Sequence, residues 1–161
     1  MHSTFHQLKK EYLALNLQQV IDYEKFCTIS IVWHSTKIEG CALTELDTKV
    51  LLEKNITAAG KPLHDHLMIK DHYVAFQYMK TQAKQKRKLS ISFIKQLGAL
   101  VMKHTGSFTN TALGSFDTSK GDLRLAQVYV TKKYFPNYQK VPQLLEQFCE
   151  AVNAKIDAVK G

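Results

Sequence analysis

At 161 residues and 45% hydrophobic, the chain can bury a core of its own, and 22% charged residues without a long biased tract exclude wholesale disorder. No run of about 18 apolar residues occurs, which excludes an ordinary membrane-spanning helix, and the N-terminus lacks the charged-then-apolar layout of a secretory signal. The formal charge of +8 raises the question of a polyanionic partner, and Cys27, Cys41 and Cys149, without metal-ligand spacing, read as reduced thiols of a cytoplasmic protein.

Helical periodicity dominates. Phe5, Leu8, Tyr12 and Leu15 form one stripe behind the candidate caps Ser3 and Thr4. Asn16 caps or kinks the entry to a second, longer helix, with Val20, Ile21, Cys27, Ile31 and Trp33 as its apolar positions and Gly40 as its terminator. Thr44 is a natural N-cap for the next segment, with acids in its first turn and Leu46, Val50 and Leu51 inside. Gly60-Lys61-Pro62 breaks that helix, and another begins near Asp65 with Ile69, Tyr73, Phe76 and Met79 at helical spacing. Its end runs into the basic cluster Lys80, Lys84, Lys86, Arg87 and Lys88, which reads as a solvated face near a helix C-terminus.

Ser90 or Ser92 caps a helix carrying Ile94, Leu97, Val101 and His104 on one face, ending at Gly106. Residues 106–121, rich in Gly, Ser, Thr and Asn, read as an extended loop. Leu125 to Thr131 is the convincing strand candidate. Pro142 suits the first position of a final helix whose stripe is Leu145, Cys149, Val152, Ile156 and Val159. That stripe needs a partner surface.

Catalytic signals are sparse. There is no Gly-rich phosphate loop, no GxSxG and no HExxH. His64 and His66 flank Asp65 and read as exposed histidines at a helix cap rather than as metal ligands. His34 and Ser35 are adjacent, so on a helix they point about 100° apart and cannot form a nucleophile–base pair. His72 and His104 are lone helical histidines. Glu39 stands out, because it places a carboxylate at the negative end of a helix dipole, where it is unfavourable unless a cation meets it.

Ser35-Thr36-Lys37-Ile38-Glu39-Gly40 fits the (S/T)xxxE(G/N) inhibitory motif of Fic proteins, and the following Leu43-Thr44-Glu45 resembles the rest of that signature. Gly121-Asp122-Leu123-Arg124 followed by Ala126-Gln127-Val128-Tyr129-Val130 resembles the family's flap hairpin. Val141-Pro142-Gln143-Leu144-Leu145 resembles the helix start after that flap. The three landmarks are in register over roughly residues 17 to 161. The resemblance implies a mainly α, Fic-like helical bundle with one short β-hairpin flap. It divides into an N-terminal helical region, 1–105, whose inhibitory helix ends at about residue 40, and a part, 106–161, holding the flap and the beginning of the Fic core.

Fic proteins transfer AMP from ATP to a hydroxyl of a target protein, using an HPFx(D/E)GNGRxxR motif that places a general base, Mg²⁺ and the phosphates. That motif does not occur in these 161 residues. The resemblance therefore implies no catalytic or metal-binding residue here, with ATP and Mg²⁺ expected only where the motif is supplied. Glu39 would neutralise the second motif arginine and hold ATP in a non-productive pose. Ser35 would steady the inhibitory helix, and Gly40 would end it. The sequence departs from the commonest pattern at Cys41, where asparagine is frequent. Ala126, Gln127, Val128, Tyr129 and Val130 would receive a target protein by strand addition.

The expected partners are that target and either a second copy or a second chain carrying the catalytic half, with no membrane. Two other readings stay open: a small basic helical nucleic-acid-binding protein, disfavoured because aromatic residues do not interleave with the basic run, and an antitoxin-like inhibitor acting on a Fic core in trans.

Overall fold

The computed structural model describes residues 2–16, 22–130 and 133–159. Among them are six α-helices and two β-hairpins: α1 (His2–Ala14), α2 (Tyr23–Ile38), α3 (Glu45–Lys54), α4 (Leu63–Lys84), α5 (Ile91–Val101), β1 (Phe108–Thr111), β2 (Gly114–Asp117), β3 (Tyr129–Val130), β4 (Lys133–Tyr134) and α6 (Val141–Val159). Both hairpins are antiparallel, with Phe108 opposite Asp117 in the first and Tyr129 opposite Tyr134 in the second. The chain is thus a mainly α-helical bundle, as expected, with two short hairpins where one was expected. No helix among the described residues is long and apolar enough to cross a membrane.

The core is built from Val32, Cys41, Leu43, Leu51 and Ile69, where α2, α3 and α4 meet. Three helix starts, those of α2, α3 and α5, have a side-chain cap. Asp22 accepts the Lys25 N–H at the head of α2, and Thr44 and Asp47 exchange bonds in a full capping box at the head of α3. Ser90 does the same work for α5 by accepting from Phe93 N–H.

Several elements differ from the sequence reading. The buried face of α2 is Thr28, Ile29, Val32 and Thr36, whereas Ile31 is 45% exposed. The threonines are hidden because their hydroxyls bond backward to carbonyls of their own helix: Thr28 to Glu24 O and Thr36 to Val32 O. On α3, Thr48 takes the inner place given to Leu46, which is 68% exposed, and its hydroxyl bonds Thr44 O. Asn16 adopts a left-handed φ of 52° just past α1, while Val20 and Ile21 lie outside the described residues.

α4 begins at Leu63, two residues before Asp65, and α5 ends at Val101, leaving His104 in the turn beyond it. Residues 106–121 are not a plain loop: they hold the β1–β2 hairpin and a 3₁₀ turn, Thr118–Lys120. Gly121 is held against α5, with a φ of 72° and no room for a side chain: a Cβ there would sit 1.9 Å from the Lys95 carbonyl oxygen.

Candidate functional site

The end of α2 closes with a glycine cap. Gly40 has a φ of 93°, its N–H donates to Lys37 O at 3.1 Å, and the Cys41 N–H donates to Thr36 O at 3.1 Å. Glu39 is thereby fixed as the last residue before the left-handed turn. Residues 41–43 are tied down from three sides. The Trp33 indole N–H donates to Leu43 O at 3.0 Å, the Ala42 N–H donates to the Asp65 carboxylate at 2.7 Å, and Cys41 and Leu43 are inside the core. Cys41 is an apolar core group here, its thiol 3.9 Å from Asp65 O.

Asp65 is one of the residues that sequence reasoning missed, and His66 is another. Far from being an exposed cap histidine, His66 is 3% exposed; its Nε2 accepts from Ala58 N–H at 2.9 Å and its Nδ1 lies 2.8 Å from Pro62 O. Those partners require the neutral Nδ1–H tautomer, so His66 pins the α3–α4 connector. A buried Asp71, two turns into α4, does the same for the turn that follows α5. It accepts from His104 N–H at 2.7 Å, and its second oxygen lies 2.6 Å from His104 Nδ1. In each case a polar side chain one or two residues from an apolar position was the only available signal.

The Glu39 side chain is exposed and borders a pocket of about 340 Å³ with His64, Met68, His72, Val101, Met102 and Thr105. Among the described residues it makes no ion pair. Ser35, one turn earlier, borders a different, mostly apolar groove between α2, α4 and α5. The structure therefore holds Glu39, Gly40 and Ser35 on one rigid helix end, with the acid at a pocket mouth and the hydroxyl facing neighbouring helices. Two histidines at that pocket, His64 and His72, were not connected with Glu39 in sequence; α4 brings them there.

The second hairpin is shorter than the expected strand, Leu125 to Thr131. Tyr129 and Val130 form β3, while Ala126, Gln127 and Val128 precede it and Thr131 lies outside the described residues. Two side chains and one further backbone bond hold the hairpin beyond its short ladder. The Arg124 guanidinium donates to Ala126 O and Pro136 O, the Gln127 amide donates to Phe135 O at 2.7 Å, and Phe135 N–H donates to Val128 O. Gln127, Val128 and Tyr129 are all on the surface.

No protein-family model matches the chain. It is 27% identical over 124 residues to a protein adenylyltransferase Fic of Drosophila erecta and 26% identical to that of Drosophila willistoni, in each case over 77% of this chain. A crystal structure of a Fic domain containing signaling protein from Bacteroides thetaiotaomicron superposes over 95% of this chain with a TM-score of 0.74 at 21% identity. The fold is Fic-like. The chain spans 23% of the length of the Drosophila relatives and 57% of the bacterial structure. Its bundle and hairpin match the Fic-like fold with its flap.

Proposed function

We propose that this chain is the regulatory and target-docking part of a Fic-type AMP-transferase, with Glu39 as the inhibitory group. The observation that carries the reading is a carboxylate at the negative end of α2, rigidly capped, at a pocket mouth, and without an ion-pair partner among the described residues. Such a group is disfavoured by the helix dipole, so a guanidinium docking over the pocket would relieve the repulsion and be neutralised in turn. An arginine occupied this way is lost to the γ-phosphate, and ATP then binds without reacting.

The surface backbone around Ala126 to Val130 would receive a segment of the target protein as an added strand, aligning its hydroxyl through main-chain bonds. ATP and Mg²⁺ belong to the polypeptide region that supplies the HPFx(D/E)GNGR motif, whether on a continuous chain or on a second one.

The test is AMP incorporation from labelled ATP by an assembly containing this chain and that motif. Glu39→Gly should raise incorporation by roughly tenfold or more, the scale on which one charge-assisted pair acts. Equal incorporation by the parent and the variant would remove the inhibitory role.

A further inference from the structure

The basic cluster after α4 surrounds a cavity unrelated to the Glu39 pocket. Between the end of α4, the α4–α5 turn and α6 lies a space of about 340 Å³. Its floor is apolar, made by Met79, Ala83, Leu89, Phe93 and Ile156, and its rim carries Lys86, Arg87, Lys88 and Asp157. The size lies at the lower end of the range for small-molecule sites, about 300–1,000 Å³. Asn153 of α6 holds the walls together by bonding both the N–H and the carbonyl of Leu89 at 2.9 Å.

The rim is electrically incomplete. Asp157 pairs with Lys88 at 2.9 Å. The Arg87 guanidinium lies over the Phe93 ring and donates to the Tyr78 hydroxyl and the Gln82 side-chain oxygen, both neutral. Lys86 has no ion pair among the described residues. Three cations and one acid leave two positive charges over an apolar floor. Cations are favoured at a helix C-terminus in general, but that does not explain the backbone beneath them.

Lys86 has a φ of 55°, with its N–H bonded to Ala83 O and the Arg87 N–H to Gln82 O. This is the cap position that glycine or asparagine fills without penalty. Elsewhere among the described residues positive φ falls on glycine or asparagine: Gly40, Gly60, Gly114, Gly121, Asn16 and Asn55. Lysine is the exception among the described residues, and it stands at the mouth of the cavity. A strained residue in such a place points to a side chain needed for binding.

We propose that this cavity binds a small amphipathic anion, with a single acyl chain or ring on the Met79–Phe93–Ile156 floor and its anionic head on Lys86 and Arg87. The test is an amide NMR titration of this chain with octanoate, octan-1-ol, acetate and inorganic phosphate. Octanoate should shift the Leu89 and Asn153 signals saturably. Octan-1-ol should bind about tenfold more weakly for want of a charged head, and acetate and phosphate should not saturate. Lys86→Gly, which relieves the backbone, should raise the thermal midpoint and weaken octanoate by about tenfold.

Equal binding of octanoate and octan-1-ol would overturn the proposal, as would unchanged octanoate affinity in Lys86→Gly. Lys86→Asn, also compatible with the left-handed turn, repeats the comparison with a second side chain. Concentration-dependent shifts of the same signals without ligand would assign the cavity to a second copy and overturn it equally.

Discussion

The junction of α2, α3 and α4 and the stretch from the second hairpin through α6 solve different problems. At the junction, every connector is fixed: Trp33 and Asp65 hold the backbone after Gly40, and His66 holds the α3–α4 turn. Along the later stretch, Tyr129, Tyr134, Leu144, Phe148 and Ile156 stay exposed, while α6 buries Cys149. The first region buries a core of its own, although Ile38, Leu46 and Leu63 stay exposed there too. The second buries Cys149 and presents most of its apolar side chains outward, as a surface made to be covered does.

Truncation separates the two most sharply. Leu43→Ala, at a fully buried core position, should cost about 2–5 kcal/mol in urea unfolding. A loss under about 1 kcal/mol would mean that the junction is not the core. Gly121→Ala should cost at least about 1–3 kcal/mol from the left-handed backbone alone, with the Lys95 carbonyl displaced besides, and should lower the thermal midpoint accordingly. Asp71→Ala should cost about 1–3 kcal/mol by leaving the His104 N–H without its acceptor. By contrast, Phe148→Ser should change stability by no more than about 0.5 kcal/mol, a null result that sharpens the contrast.

Acid acts weakly, through carboxylates on α2, α3 and the end of β2. A hydrogen bond from Lys80 holds Glu24 below its ordinary 4.5, and one from Lys25 does the same for Glu53. Bonds from Thr44 and from Ser119 hold Asp47 and Asp117 below 3.8. Lowered carboxylates stabilise the fold above the unfolded-state values, and that contribution disappears as pH falls through the folded ones. The contribution of these four carboxylates to the thermal midpoint should therefore be level from neutrality to about pH 5 and decline below about 4.5. The Glu24 part should shrink with added salt, since its pair with Lys80 is exposed.

Much of this was legible in the chain itself. Gly40 and Thr44 declared the α2–α3 boundary because a left-handed terminator and a side-chain cap each need particular residue types. The inner face of α2 was misread because threonine counts as polar until its hydroxyl is spent on its own helix. The β1–β2 hairpin hid in a Gly/Ser/Thr/Asn-rich stretch whose composition suits loops, and its turn at Ala112 and Leu113 carries none of the usual hairpin residues. Asp65, His66 and Asp71 act across 8 to 33 positions of sequence, and no local pattern reports such pairings. The acid at position 39 was visible; the pocket beside it, with His64 and His72, arises only when α4 packs against α2.

A high-resolution structure of the assembly that includes the HPFx(D/E)GNGR motif would measure the deciding distance, from the Glu39 carboxylate to the nearest guanidinium. Autoinhibition predicts a charge-assisted pair at about 2.7–2.9 Å. A carboxylate turned to bulk water, with the motif arginines engaged elsewhere, would contradict it.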